Sequence, residues 1–214
     1  MSRITEFLVI CSLLVLVNAK PFTWSNCATT PNPAVVIDLI EVTPDPVELP
    51  GVLKLSVRGN TTRVINSAKL TISLHRDTFL LSVPIPCLLH LGSCEYTDLC
   101  SLLNTMETEN WASITTGLAT QMKTMLTSAG IRVDPGLCPL QVTSLNLHEY
   151  TINLPQIPSV LSWVASGDYS IKVTVDDTTT NENLLCLDLG VTLTKSSECT
   201  GWLCGRRKRD TLKN

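Results

Sequence analysis

Catalytic machinery is what this sequence most lacks. Its 214 residues include three histidines, and none sits beside a recognisable nucleophile motif. No G-x-S-x-G elbow, H-E-x-x-H pair or glycine-rich phosphate loop is present. A hydrolase of a known pattern, a zincin and a nucleotide-binding enzyme are thereby disfavoured. We expect no catalytic residues and no cofactor. Charge is also thin, at 16% of residues, and aromatics make up 5%. Between Lys20 and Gly205 ten basic residues meet seventeen acidic ones, a net charge of −7. A nucleic-acid partner calls for a basic face, so none is expected.

Long apolar runs are missing too, with one exception. "FLVICSLLVLV" (Phe7 to Val17) is eleven residues long, too short to span a bilayer as a helix. It follows a polar leader carrying Arg3 and precedes the small residues of "VNA". Residues 1–19 therefore read as a signal peptide cleaved after Ala19, with Lys20 the first mature residue. No later run is long enough to anchor the chain, so the mature protein is expected to be soluble. "NTT" at Asn60 marks a glycosylation acceptor, which fits passage through the secretory pathway.

Cysteine is plentiful by contrast. "PCLLHLGSCEYTDLC" (Pro86 to Cys100) packs Cys87, His90, Cys94 and Cys100 together, and spacing alone allows a metal site, a reactive thiol or disulfides. Zinc sites use tighter knuckles, and a thiol nucleophile would need a basic partner that is not evident. Removal of Cys11 with the signal peptide leaves eight of the nine cysteines, an even number in an oxidising compartment. Disulfides are then the default, and no metal is expected.

At the other end, "GRRKRD" (Gly205 to Asp210) has the R-x-K-R pattern of secretory proprotein convertases, which would cut after Arg209. Gly205 before a basic run also suits C-terminal amidation, and a secreted signalling protein with an active "CTGWLCGRRKR" end is the alternative function. Lys195 is a poor upstream cleavage signal, which counts against release of a free peptide.

What fills the middle is alternation of period two, the pattern of half-buried strands. Leu53, Leu55 and Val57 alternate with Lys54, Ser56 and Arg58. Leu70, Ile72 and Leu74 repeat the pattern, as do Tyr150 with Ile152, Ile171 with Val173 and Val175, and the run Leu184 to Leu193. A further strand is expected at Ala34 to Glu41. Turn signals fall at Thr43 to Gly51, Arg58 to Arg63, Ala165 to Asp168 and Asp176 to Asn183. About 190 residues make one domain, here mainly β: an antiparallel sandwich or cup.

One segment departs from alternation. Asn110 to Ile131 contains a single charge, Lys123, and its Trp111, Ile114, Leu118, Met122, Met125 and Leu126 recur at helical spacing. Asn110 is placed to cap the helix start and Gly130 its end. Gly117 and the threonines weaken it. Two roles suit this stripe: ordinary core, or a mobile flap over an apolar cavity with Trp111 at the membrane interface.

"FTWSNC", "VTPDPVELPGVLKLSVRG", the ordered "IPC", "GSC" and "LC", then "LPQIPSVLSWVASGDYSI" and "CLDLGVTL" resemble the ganglioside activators of the secreted lipid-recognition (ML) domain family. The resemblance runs from Phe22 to Leu193 and is weakest around Trp111. It implies a β-cup enclosing an apolar lipid cavity, with one helical or irregular flap and no enzymatic activity. It implies extraction of a glycosphingolipid or other membrane lipid, transient contact with a membrane surface, and presentation to a lysosomal β-N-acetylhexosaminidase. Localisation would be the lysosome or the extracellular space. By position it pairs Cys27 with Cys186, Cys87 with Cys94, and Cys100 with Cys138. It places Phe79, Leu80 and Leu81 in a membrane-touching loop, although a strand end in the core would look similar, and Trp163 joins them as a lipid contact. Cys199 and Cys204 depart from the family pattern and would close a small ring around Trp202. Domain limits are thus 1–19 for the signal peptide, 20–195 for the lipid-recognition cup and 196–214 for an extension.

Overall fold

The computed structural model describes residues 20–196. Cys11 and Ala19 of the signal-peptide reading lie outside these residues, as do Cys199, Trp202, Cys204 and Arg209 of the extension. Among the described residues no helix is long and apolar enough to cross a membrane.

Two sheets make up the body. In the first, β10 (Asn183–Lys195) lies between β1 (Thr23–Asn26) and β9 (Gly167–Asp176), followed by β5 (Lys69–Asp77). Two short strands, β6 (Ser82–Pro84) and β7 (Glu95–Tyr96), pair with the far side of β5, and β3 (Val47–Leu49) runs parallel to β10. The second sheet has the order β2 (Val35–Thr43), β4 (Gly51–Thr61), β8 (Ser144–Leu154), all antiparallel.

Register turns the alternation into faces. Leu70, Ile72 and Leu74 stand opposite Val175, Val173 and Ile171, which in turn stand opposite Leu185, Leu187 and Leu189. Side chains alternate along a strand, so these nine share one face and Ser73, Lys172 and Asp188 share the other. In the second sheet Leu53, Leu55 and Val57 lie beside Ile152, Tyr150 and Leu147. One extra residue in β8 bulges at His148–Glu149, with Glu149 at φ 46° and its N–H donating to Ser56 Oγ at 3.1 Å. The bulge keeps Leu147 and Tyr150 on one side of the sheet.

Two expected turns prove to contain strand. Arg58 to Arg63 reads as a turn in sequence, yet β4 continues to Thr61. Gly59 permits this because a Cβ there would lie 2.4 Å from the Val36 carbonyl oxygen. Thr61 is buried and donates its hydroxyl to Gln141 O at 2.9 Å. Asn60 consequently sits mid-sheet, exposed on the polar outer face. The Thr43 to Gly51 segment likewise contains β3.

The expected single helix from Asn110 is instead a hairpin of α1 (Leu102–Glu109) and α2 (Thr115–Ser128), joined by a 3₁₀ turn at Trp111–Ser113. Asn110, Ala112 and Ser113 adopt φ values of 49°, 48° and 61°, which end one helix before the next begins. Gly130 does end α2: at φ 78° it lets its own N–H reach Thr127 O and that of Ile131 reach Leu126 O, at 3.0 and 2.9 Å. This is a Schellman closure. Thr115 and Thr116 face the other helix, whereas Thr120, Thr124 and Thr127 are exposed. Thr115 is 1% exposed and donates to Met106 O at 2.8 Å, and Thr116 donates to Glu107 O at 2.8 Å. Lys123 pairs with Glu107, which also accepts from Thr120, so the helices form one body.

Among the described residues three disulfides form, with the pairings that the resemblance implies: Cys27–Cys186, Cys87–Cys94 and Cys100–Cys138. The first ties β1 to β10 across a sequence separation of 159. In the chain-entropy picture such a loop contributes about 5 kcal/mol.

Candidate functional site

Two buried clusters stand out in the interior. At one end Ala34, Ile65, Ala68, Val175 and Leu184 form a buried cluster joined by Leu70 and Leu185. Along the β8 flank, Met125 packs on Leu147 and Ile152, with Leu53, Leu55, Leu118, Leu126 and Tyr150 around it. Neither cluster includes Ile72, Leu74, Ile171, Val173 or Leu189. These five share the face of Leu70, Val175 and Leu185, which fixes that face as the inner one. All five are only half-buried although they lie on the inner strands of a sheet. Apolar side chains in a closed core are covered by six or more neighbours. Here the five stay half-exposed, although Leu187 opposite Val173 on the same face is buried.

The flanks of that face differ. On one side β1 and β2 are the free edges of their sheets, and a surface groove runs between them past Phe22, Trp24, Ile40 and Val42. The Phe22 N–H donates to Asp45 Oδ2 at 2.6 Å across its end. On the opposite side the helical hairpin bridges the two sheets. Its tip meets the Cys87–Cys94 loop beside β5: Trp111 stacks on His90 at 4.9 Å and on Tyr96 at 5.5 Å between ring centroids. Its side meets β8 through the Met125 cluster and through Gln121.

Trp111 requires a correction. Its ring is 7% exposed, and its indole N–H donates to Glu109 Oε2 at 2.6 Å. The protein itself encloses the ring, so it does not stand at a membrane interface in this arrangement. The rest of the stripe divides. Leu118, Met125 and Leu126 are core contacts with the second sheet, whereas Ile114 and Met122 are half-buried outside that cluster.

A different surface carries the exposed apolar groups. Thr78 closes the β5–β6 turn with its backbone and hydroxyl on Leu81, projecting Phe79 and Leu80 from the tip. Phe79, Leu80 and Leu81 are 100%, 81% and 69% exposed. The short 3₁₀ segment Ser159–Val164 adds Val160 and Trp163, both exposed. Arg76 fixes the two loops at the same end of the sheet by donating to Trp163 O at 3.0 Å and Ser166 O at 2.9 Å. Asp77 braces the turn base. It accepts from Ser170 and Ser82, and those two hydrogen bonds hold its carboxyl below the usual range. Phe79, Leu80, Leu81 and Trp163, singled out in sequence, thus stand exposed on two segments that Arg76 links. Val160 and Gln121 escape sequence reading. Only the apolar "SVLSW" between prolines and serines hints at the first, and nothing marks the second.

The ML-domain family profile matches residues 21–193. The ganglioside GM2 activator of Macaca fascicularis is 30% identical over 152 residues, 71% of this chain and 73% of the relative. That of Mus musculus is 28% identical over 152 residues, 71% and 72% of the two chains. A Niemann-Pick type C2 protein crystal structure from the Japanese carpenter ant aligns over 80% of this chain and 99% of its own, with a TM-score of 0.41 and 9% identity. The chain, a two-sheet β protein matched by that profile over residues 21–193, belongs to the ML-domain family.

Proposed function

We propose that the chain is a non-enzymatic lipid-binding and transfer protein of the secretory pathway. The observation that carries this reading is the inner face of the first sheet, where Ile72, Leu74, Ile171, Val173 and Leu189 remain half-exposed. Apolar surface left accessible costs roughly 25 cal/mol per Å² relative to burial. An acyl chain offers the cover these residues lack. The exposed patch of Phe79, Leu80, Leu81, Val160 and Trp163 is the surface that touches the membrane, since such a patch on a soluble chain marks an interaction site. The kinship to ganglioside activators supports a glycosphingolipid as cargo, with delivery in the lysosome or outside the cell. It also supports presentation of the headgroup to a lysosomal β-N-acetylhexosaminidase.

Mass spectrometry of organic extracts from the purified protein is the test. One bound lipid per chain, together with uptake of ganglioside from vesicles, is the expected result. A protein that carries no lipid and removes none from vesicles would overturn the proposal. Hydrolysis of the sugar by the hexosaminidase, with and without the protein, then tests the finer claim of presentation.

A further inference from the structure

We infer that Gln121 is a releasable latch holding the helical hairpin closed over the flank of the cup. As the free edge of the second sheet, β8 needs cover for its outward backbone groups. At Asn153 the Gln121 carboxamide supplies it on both sides. Gln121 Nε2 donates to Asn153 O at 3.0 Å, and the Asn153 N–H donates to Gln121 Oε1 at 2.7 Å. A side-chain amide here does what the peptide of a neighbouring strand would do. Asn153 Nδ2 adds a longer bond to the same oxygen at 3.3 Å. Among the described residues this is the one hydrogen-bonded link from α1 or α2 to the second sheet.

The other attachments of the hairpin are of different kinds. At its base Cys100–Cys138 is covalent, with Asn104 Nδ2 donating to Pro135 O at 2.7 Å. Within it, the Glu107–Lys123 pair and the Thr115 and Thr116 bonds keep α1 and α2 together. Its tip rests on ring stacking at Trp111, beside Leu89 and His90, which have φ values of 51° and 60°. The hairpin is thus a stiff body on a covalent base whose free side is held by one exposed amide pair and the apolar contacts beneath it. Water competes for that pair directly, because Gln121 is half-buried and Asn153 exposed. Gly117, one turn before Gln121, has open space at its Cβ position, so nothing crowds α2 on that side.

The role in lipid passage rests on the lipid-transfer reading, whereas the latch itself does not. The experiment therefore has two readouts on the full chain and on Gln121→Ala and Gln121→Glu. The first is amide hydrogen exchange without lipid. Losing a pair of hydrogen bonds should raise α2 exchange on the order of tenfold, leaving β9 and β10 unchanged. The second is transfer of a pyrene-labelled phosphatidylcholine to acceptor vesicles, which should accelerate by a similar factor with little change in melting temperature. Gln121→Glu supplies the rescue. At pH 7 its carboxylate still accepts from the Asn153 N–H but cannot donate to Asn153 O, so protection should fall part of the way toward that of Gln121→Ala. At pH 4 the protonated acid donates and accepts, and protection relative to wild type at the same pH should return. Faster α2 exchange with no lipid carried would keep the latch and overturn the transfer reading. Unchanged α2 exchange, or equal loss of protection in β9 and β10, would overturn the latch.

Discussion

Substituting phenylalanine for Val173 asks directly whether the cup is empty, and Val175 provides the comparison two residues along the same strand and face. Val175 is 8% exposed and belongs to the cluster at the closed end. Val173 is half-buried and belongs to neither cluster. Forcing extra carbons into a packed core costs about 1–3 kcal/mol. In a domain of this size each kcal/mol moves the melting temperature by roughly 2–4 °C. Val175→Phe should therefore melt about 2–12 °C below wild type. At Val173 the added ring enters space and displaces no protein atom, so the melting temperature should stay within about 2 °C. The same ring occupies room that a lipid tail would use, and lipid bound per chain should fall. Scanning calorimetry and lipid extraction on both variants give the answer. If Val173→Phe proves as destabilising as Val175→Phe, the interior is an ordinary core and the reasoning fails.

Replacing Phe79 and Leu80 by Asp should abolish vesicle binding in flotation assays yet change stability by less than about 0.5 kcal/mol, because both side chains already stand in water; undiminished flotation would count against the rim. The hydrogen bond from Lys123, then that from Thr120, lowers the Glu107 carboxyl below its ordinary 4.5. Its contribution to stability is thus complete above pH 4.5 and lost as pH falls through the lowered value. Glu107→Gln should accordingly melt lower than wild type at pH 7 and at pH 5, with the gap closing in stronger acid; a constant gap down to pH 2 contradicts this. Peptide mapping without reduction should recover the three described bridges and, from the extension, Cys199 joined to Cys204; free thiols there would remove the ring. Between Lys20 and Gly205 the charge is −7 at neutral pH, and acidification toward pH 5 makes a chain of this composition less negative. Vesicles of anionic lipid should then bind more protein at pH 5 than at pH 7 in low salt, and equal binding would exclude this electrostatic effect.

Alternation made the strands readable because inner and outer faces meet such different surroundings. Leu70, Ile72 and Leu74 could be assigned to one face before any partner was known. Glycine and hydroxyl residues misled at Arg58 to Thr61, where Gly59 serves close approach of β2 rather than a turn and Thr61 finds its partners eighty residues away. The hairpin was harder still. Asn110, Ala112 and Ser113 take left-handed φ values without glycine, so no breaker marks the chain reversal. Only Leu102, Leu103 and Met106 give α1 an apolar side. Trp111 looked like an interfacial residue because its neighbours, His90 of the Cys87–Cys94 loop and Tyr96 of β7, occupy places that no local pattern encodes. The rim was half legible. Three consecutive apolar residues between Thr78 and Ser82 stood out, but their link to Trp163 depends on Arg76 reaching two carbonyls.

The Cys27–Cys186 bridge also sets an order of events during synthesis. Cys87 and Cys94 are seven residues apart and can join as soon as both emerge, whereas Cys27 must await a partner 159 residues later. At 5–20 residues per second that wait is roughly 8–30 s. Throughout it, β1 has no β10 to pair with and Cys27 is exposed to every cysteine made in the interval. The first strand of the domain is thus among the last to find its place. Early exchange of Cys27 with Cys87, Cys94, Cys100 or Cys138 becomes the main route to a trapped product. Export yield should consequently depend on disulfide isomerisation more than on the speed of forming the short Cys87–Cys94 loop.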